Sequence, residues 1–212
     1  MAELSFIHRF EPGERAAAWP LLILHGTGGD ENDLIPLGRM IAPGASLLSL
    51  RGKVLENGMP RFFRRLAEGI FDEDDVRRRA NELADFVADA RKHYGILAPV
   101  ALGYSNGANI AAAVMLLRPE ALAGGILLRA MAPLANFDAA GGLTGKPALI
   151  VSGARDAIAP PANAARLKAL LLQAEAQVDH RTLASGHELS QGDVSLGREW
   201  LQTQEAALPA AS

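Results

Sequence analysis

The 212-residue sequence predicts an α/β protein with a mostly parallel central sheet and helices on both faces. Short apolar segments alternate with helix-type segments along the chain. The middle apolar segments are continuously hydrophobic, as expected for strands that are covered on both faces. Because no internal repeat or long linker interrupts this order, we expect a single domain over residues 1–212, with 206–212 as a frayed tail.

Each predicted element rests on a local pattern. Apolar runs predict strands over residues 4–10, 20–26, 46–50, 99–105, 124–130, 147–153 and 176–183. Helices are predicted over residues 74–94, 106–117, 162–172 and 190–204. The first of these four has apolar residues at close to helical spacing, and Gly95 is expected to end it.

Two segments between these elements need separate predictions. A short helix through Leu34 and Leu37 is expected, with Asp30 as its N-cap. Residues 51–71 do not fit the alternation, and we predict a long irregular loop there. Its paired phenylalanines argue against disorder, and no insertion in the chain is large enough for a separate lid domain.

Composition excludes several classes of function. The net charge of -3 provides no basic field for nucleic acid, and the absence of cysteine excludes thiolate metal sites and cysteine nucleophiles. The N-terminal residues lack the apolar core of a signal peptide. The longest apolar stretch, residues 110–117, is too short to span a bilayer. We therefore expect a cytoplasmic protein with no nucleic-acid partner and no membrane insertion.

The segment Gly103-Tyr104-Ser105-Asn106-Gly107 matches the pattern G-x-S-x-G. In that pattern a sharp turn between a strand and a helix exposes the serine hydroxyl, and the glycines allow the strand and helix to approach closely. The pattern alone is weak evidence, because an ordinary glycine-rich turn can have the same sequence. Here an apolar strand precedes it and a helix of small and apolar residues follows, which favours Ser105 as a nucleophile.

A serine nucleophile needs a base, and the base needs an orienting acid. Among the five histidines, His187 lies in a loop between the last predicted strand and the last helix, at the edge where Ser105 is expected. Asp156 follows another predicted strand and can orient the imidazole. Each also has a structural interpretation, His187 as a helix-capping residue and Asp156 as a turn residue. The chain order of serine, aspartate and histidine is that of α/β-hydrolases.

The glycine-rich segment His25-Gly26-Thr27-Gly28-Gly29 follows an early strand. In this arrangement it supplies one backbone donor of an oxyanion hole, and Thr27 is the candidate; the residue after the nucleophile, Asn106, supplies the other. A phosphate-binding loop is the rival interpretation. The segment lacks the Gly-Lys-Ser/Thr ending of such loops and has Asp30 and Glu31 beside it.

Together with Gly153-Ala154-Arg155-Asp156 and Gly186-His187-Glu188, these segments resemble the phospholipase/carboxylesterase family of small α/β-hydrolases, which includes acyl-protein thioesterases. The arginine- and phenylalanine-rich segment 58–75 looks like the bacterial carboxylesterase branch. The resemblance covers nearly the whole chain. It implies Ser105, Asp156 and His187 as the catalytic triad and the backbone of Thr27 and Asn106 as the oxyanion hole. It also implies no metal or organic cofactor, and often a homodimer.

The expected function is hydrolysis of short- to medium-chain carboxylic esters, with a small-molecule ester as the partner. Thr27 and Asn106 stand where thioesterase relatives commonly have leucine and glutamine, which disfavours long acyl chains. The alternatives are an acyl thioesterase or lysophospholipase on the same machinery, a non-catalytic binding protein on a hydrolase scaffold, and a docking protein that uses residues 51–71. Phe62, Phe63, Met131 and Ile158 are candidates for pocket lining or for ordinary core.

Overall fold

The computed structural model describes residues 4–15, 19–135, 137 and 142–207. Their strands are β1 His8–Glu11, β2 Leu21–Leu24, β3 Leu47–Leu50, β4 Val54–Glu56, β5 Met59–Arg61, β6 Arg65–Ala67, β7 Ile70–Phe71, β8 Val100–Tyr104, β9 Gly124–Leu128, β10 Pro147–Gly153 and β11 Gln177–Leu183. Their helices are α1 Ile35–Ile41, α2 Glu73–Tyr94, α3 Asn106–Leu117, α4 Pro161–Gln173 and α5 Gln191–Ala206.

Seven strands form the central sheet in the order β1-β3-β2-β8-β9-β10-β11. β1 runs antiparallel to β3, and the other neighbouring strands are parallel. These are the seven strands predicted from the apolar segments, with boundaries that differ by a few residues. The mostly parallel order confirms the predicted fold class, and it places the carboxyl ends of β2, β8, β9, β10 and β11 along one edge.

The sheet separates two hydrophobic cores. Alternate residues of β2, such as Leu22 and Leu24, pack with α2, α3 and α4 on one face. Their neighbours Leu21 and Ile23 pack with α1 and α5 on the other face. Because both faces are covered, every residue of β2 is buried, which explains its continuous apolar sequence.

The prediction of an irregular loop over residues 51–71 was wrong, because this segment forms two β-hairpins. β4 pairs with β5 across the two-residue turn Asn57-Gly58, and β6 pairs with β7. Asn57 and Gly58 both have positive φ, 52° and 81°, as a type I′ turn requires. The Asn-Gly pair between short apolar runs was therefore a hairpin signal that the sequence analysis overlooked.

Helix boundaries give one more correction. Asp30 does not cap α1, because its carboxylate accepts from the backbone N–H of Asn32 within the preceding turn. The helix begins later, at Ile35, and has Pro36 in its first turn. Gly95 ends α2 in the left-handed conformation, as predicted. α5 continues to Ala206, and residues 208–212 of the predicted tail lie outside the described residues. In the described ranges we find no helix with the length and apolar character that a membrane span needs.

Candidate active site

Three predicted site residues meet at the carboxyl edge of the sheet. Ser105 lies between β8 and α3, Asp156 follows β10, and His187 lies between β11 and α5. His187 Nε2 is 2.9 Å from Ser105 Oγ, and His187 Nδ1 is 2.9 Å from Asp156 Oδ2. This chain of hydrogen bonds places a hydroxyl, an imidazole and a carboxylate in the order that activation of a serine requires.

The backbone at Ser105 is held in a strained conformation, with φ 53° and ψ -115°. Its N–H donates to the carbonyl oxygen of Leu128 on the neighbouring strand, at 2.9 Å. The flanking glycines allow this turn: a Cβ on Gly103 would lie 2.6 Å from Ala108 Cα, and one on Gly107 would lie 2.0 Å from the Leu24 carbonyl oxygen. Both glycines are therefore required by close packing of backbone against backbone.

The carboxylate of Asp156 is almost fully buried, with 4% of the residue exposed. Its Oδ1 accepts from the backbone N–H groups of Ile158 and Ala159, at 2.9 and 2.8 Å. Those two donors fix the orientation of the carboxylate, so that Oδ2 faces the imidazole. With Asp156 accepting at Nδ1, the tautomer of His187 has its proton on Nδ1 and leaves Nε2 free to accept from Ser105.

Tyr104 holds the backbone of the same histidine. Its hydroxyl donates to the carbonyl oxygen of His187 at 3.0 Å, and the two rings lie 5.4 Å apart. Burial raises the pKa of Tyr104, so the phenol keeps the proton that this hydrogen bond uses. The residue before Ser105 therefore also helps to hold His187 in place.

The candidate oxyanion hole lies beside Ser105. Among the described residues, neither the backbone N–H of Thr27 nor that of Asn106 donates to a protein acceptor, and both residues line the same cavity as Ser105. His25 anchors the Thr27 loop: its Nδ1 donates to the Gly26 carbonyl oxygen at 2.6 Å, and its Nε2 accepts from the Gly52 N–H at 3.0 Å. Burial lowers the pKa of His25, which favours the neutral ring that these two bonds need.

The cavity over Ser105 has a volume of about 340 Å³. Met131 and Ile158 line it, in line with the sequence prediction. Phe62 and Phe63 do not line it, so of the two interpretations given for them, pocket lining or ordinary core, the structure places them in the core. They are 3% and 0% exposed and belong to the core, because the link between the two hairpins turns both rings inward. The remaining lining residues are Thr27, Arg61, Arg65, Glu68, Gly69, Phe71, Tyr104, Asn106, Asn109 and His187.

Sequence reasoning missed Arg129, which organises the loop that bears His187. Arg129 is 1% exposed and forms a buried ion pair with Asp193 on α5, with an Nη1–Oδ1 distance of 2.7 Å. Its Nε donates to the carbonyl oxygen of Gly186 and its Nη2 to that of Glu188, at 3.0 and 2.9 Å. The signal in the sequence was an arginine directly after a continuously apolar strand.

A second cavity, of about 330 Å³, lies between β11 and α5. Its lining includes Asp179, Arg181 and Trp200 but no serine and no histidine, so it lacks the serine–histidine pair found in the first cavity. Within the ranges that the structure describes, no three histidine or acidic side chains are grouped so that they could bind a metal ion.

Known proteins that are similar to this chain are hydrolases and carboxylesterases. No family model matches the chain. The chain is 42% identical to MhqD of Bacillus subtilis (strain 168), which is named as a hydrolase, over 85% of this chain and 90% of the relative. It is 45% identical to the Bacillus cereus carboxylesterase, whose crystal structure superposes with a TM-score of 0.91 over 94% of each chain.

A carboxylesterase from Mesorhizobium loti is 34% identical, with a TM-score of 0.89 over 95% of this chain and 97% of that one. Identity at this level over nearly full length, together with the shared fold, establishes common family membership. The chain belongs to the carboxylesterase family of α/β-hydrolases, and it is a hydrolase of the ester-cleaving class.

Proposed function

We propose that this protein is a serine carboxylesterase that cleaves short- to medium-chain carboxylic esters through an acyl-enzyme intermediate. The observation that carries the proposal is the hydrogen-bonded sequence Ser105–His187–Asp156, with both distances at 2.9 Å, at the base of an open cavity. We assign Ser105 as the nucleophile, His187 as the general base and acid, and Asp156 as the group that orients His187.

In the first half-reaction, Ser105 Oγ attacks the ester carbonyl carbon while its proton passes to His187 Nε2. The carbonyl oxygen becomes negative and accepts from the backbone N–H groups of Thr27 and Asn106. Asp156 stabilises the imidazolium that has formed. When the tetrahedral intermediate collapses, the bond from carbon to the alcohol oxygen breaks, and His187 gives its proton to the leaving alcohol.

In the second half-reaction, water takes the place of the alcohol. His187 removes a proton from the water as the water oxygen attacks the acyl carbon, and the same two N–H groups bind the new oxyanion. Collapse breaks the bond to Ser105 Oγ, which regains its proton from His187. The products are the carboxylic acid and the free enzyme.

The size of the cavity supports a short or medium acyl chain. Its volume of about 340 Å³ is near the lower end of the range of ~300–1,000 Å³ that small-molecule pockets span. Phe71, Met131 and Ile158 supply the apolar part of the wall. A long acyl chain would have to extend beyond this wall into solvent, where burying its methylenes would contribute little.

The test is hydrolysis of p-nitrophenyl esters of increasing acyl length by wild type and Ser105→Ala, together with fluorophosphonate labelling followed by intact mass. We expect labelling and turnover to disappear together in the variant and wild-type kcat/KM to fall at long acyl lengths. Acyl-CoA substrates at matched acyl length test the thioesterase alternative. Folded wild-type protein with neither labelling nor turnover would contradict the proposal, and sedimentation of the same sample tests the expected homodimer.

A further inference from the structure

The segment Arg61-Phe62-Phe63-Arg64-Arg65 divides its three arginines between two environments. Arg64 turns away from the cavity and pairs with Asp72, at 2.7 Å between Nη2 and Oδ2. Arg61 and Arg65 line the cavity over Ser105. The proposed ester hydrolysis does not by itself require either guanidinium, so their presence beside the nucleophile needs an explanation.

The two cavity arginines share one carboxylate. Arg61 Nε lies 3.1 Å from Glu56 Oε2, and Arg65 Nε lies 2.9 Å from Glu56 Oε1. The group of three side chains therefore has one positive charge in excess. Arg61 is 3% exposed, so bulk water does little to stabilise its charge. Burial is the main influence that lowers the pKa of Arg61, and the charge of Arg65 lowers it further.

A third donor lies in the same wall. Asn106 is 2% exposed, and its Oδ1 accepts from the backbone N–H of Phe62 at 2.7 Å. Its Nδ2 is buried and has no acceptor among the described residues. An unpaired buried amide donor is costly unless a ligand satisfies it. The wall thus combines two guanidinium groups with a residue whose buried amide donor has no partner among the described residues.

One negative charge also borders the cavity. Glu68 belongs to the turn between β6 and β7 and is exposed, so water and salt screen its carboxylate. The buried part of the wall near Ser105 is therefore cationic, and the acidic group lies at the rim.

We propose that the preferred substrates are esters that carry a carboxylate close to the reacting carbonyl, and that Arg61 and Arg65 bind this carboxylate. The inference rests on the proposed function, since it concerns the substrate of the same serine. Arg61 Nη1 donates to Thr27 Oγ1 at 2.6 Å, and the Thr27 backbone is the proposed oxyanion donor. The guanidinium thus contacts the side chain of the residue whose backbone is proposed to bind the reacting carbonyl oxygen. Only a short linker can therefore join the substrate's carboxylate to its reacting carbonyl.

The acyl side is tested with p-nitrophenyl pentanoate and mono-p-nitrophenyl glutarate, which have the same acyl length but differ in a terminal carboxylate. The methyl ester of the glutarate controls for size. The alcohol side is tested with O-butyryl-lactate and its methyl ester, with butyrate release as the readout. Preference for the charged member in either pair supports the proposal and shows on which side of the ester the carboxylate lies.

The variant is Arg65→Gln, because Arg65 is partly exposed and its replacement leaves the buried Arg61 in place. Arg64→Gln is the matched control, because it makes the same substitution in the preceding residue, whose side chain pairs with Asp72 outside the cavity. In wild type we expect kcat/KM to favour the charged substrate about tenfold, at the low end of what a hydrogen bond to a charged group contributes. Arg65→Gln should remove most of this preference, mainly through KM, and added salt should weaken it.

Three results would overturn the proposal: no preference for the charged member in either pair, an unchanged preference in Arg65→Gln, or an equal loss in Arg64→Gln. Failure of the proposed function would look different. In that case wild type would cleave none of the esters, charged or neutral, and Ser105 would not react with fluorophosphonate.

Discussion

Replacing Arg129 with methionine removes a side chain that links the end of β9 to α5 and to the loop bearing His187. The guanidinium donates to both carboxylate oxygens of Asp193, at 2.7 and 3.0 Å. It also donates to the carbonyl oxygens of Gly186 and Glu188, the two neighbours of His187. Methionine fills much of the volume and makes none of these bonds.

The expected loss of stability follows from the burial of both charges. The side chains of Arg129 and Asp193 are 0% exposed, so Arg129→Met leaves a carboxylate without its cation. Breaking such a pair from one side costs about 3–5 kcal/mol, a large part of the ~5–15 kcal/mol that stabilises a typical domain. Ser190 still donates to Asp193, which favours the lower end of that range.

A double variant separates stability from positioning. In Arg129→Met with Asp193→Leu neither charge of this buried pair remains, and we expect the free energy of unfolding to recover partly. The loop contacts are still missing, so kcat should remain about tenfold to a hundredfold below that of wild type. This is the loss expected when a catalytic group is displaced by about 1 Å. Urea unfolding and ester kinetics on both variants measure the two effects.

Two results would refute this reasoning. Arg129→Met with the unfolding midpoint and m-value of wild type would show that the ion pair contributes no stability. A double variant with wild-type kcat would show that the arginine does not position His187. The control is Arg155→Met, which removes an exposed arginine that donates to the Ala184 carbonyl oxygen in the same loop region.

Three further predictions test the site. Asp156→Asn should lower kcat by about 10³–10⁴, because the amide favours the wrong tautomer of the base; a loss below tenfold in steady-state kinetics would contradict the assignment. Gly107→Ala should lower the free energy of unfolding by at least ~1–3 kcal/mol, because its Cβ would lie 2.0 Å from the Leu24 carbonyl oxygen. In the control Gly142→Ala the added Cβ lies 3.6 Å from Pro119, an ordinary contact, so this variant should unfold in urea like wild type. Burial lowers the pKa of His25 below 6.5 in the folded state, so the unfolded chain binds the proton first, and the free energy of unfolding should decrease as the pH falls below 6.5. His25→Asn should flatten this dependence in urea titrations at several pH values; an unchanged slope would exclude His25 as its source.

The strands, the long helices and the position of the serine could be predicted because each depends on residues that are neighbours in the chain. The continuous apolar run of β2 and the glycines around Ser105 are visible in the sequence, and their physical reasons are local. His187 and Asp156 could be nominated because parallel strands end at one edge. Their direct contact with Ser105 had to come from the tertiary structure.

Other features depended on distant segments that only folding brings together. Phe62 and Phe63 have aromatic side chains of the kind that often lines pockets, yet the two hairpins direct them into the core. The charge of the cavity wall depends on contacts between segments: the pairing of β4 with β5 brings Glu56 to Arg61, and β6 brings Arg65 to the same carboxylate, which leaves one positive charge in excess. The sequence by itself determined the fold class and nominated the residues of the candidate serine site, because these follow from periodicity and turn stereochemistry. The tertiary structure decided the shape and charge of the cavity and the support of His187, because burial and long-range pairing arise only when the sheet assembles.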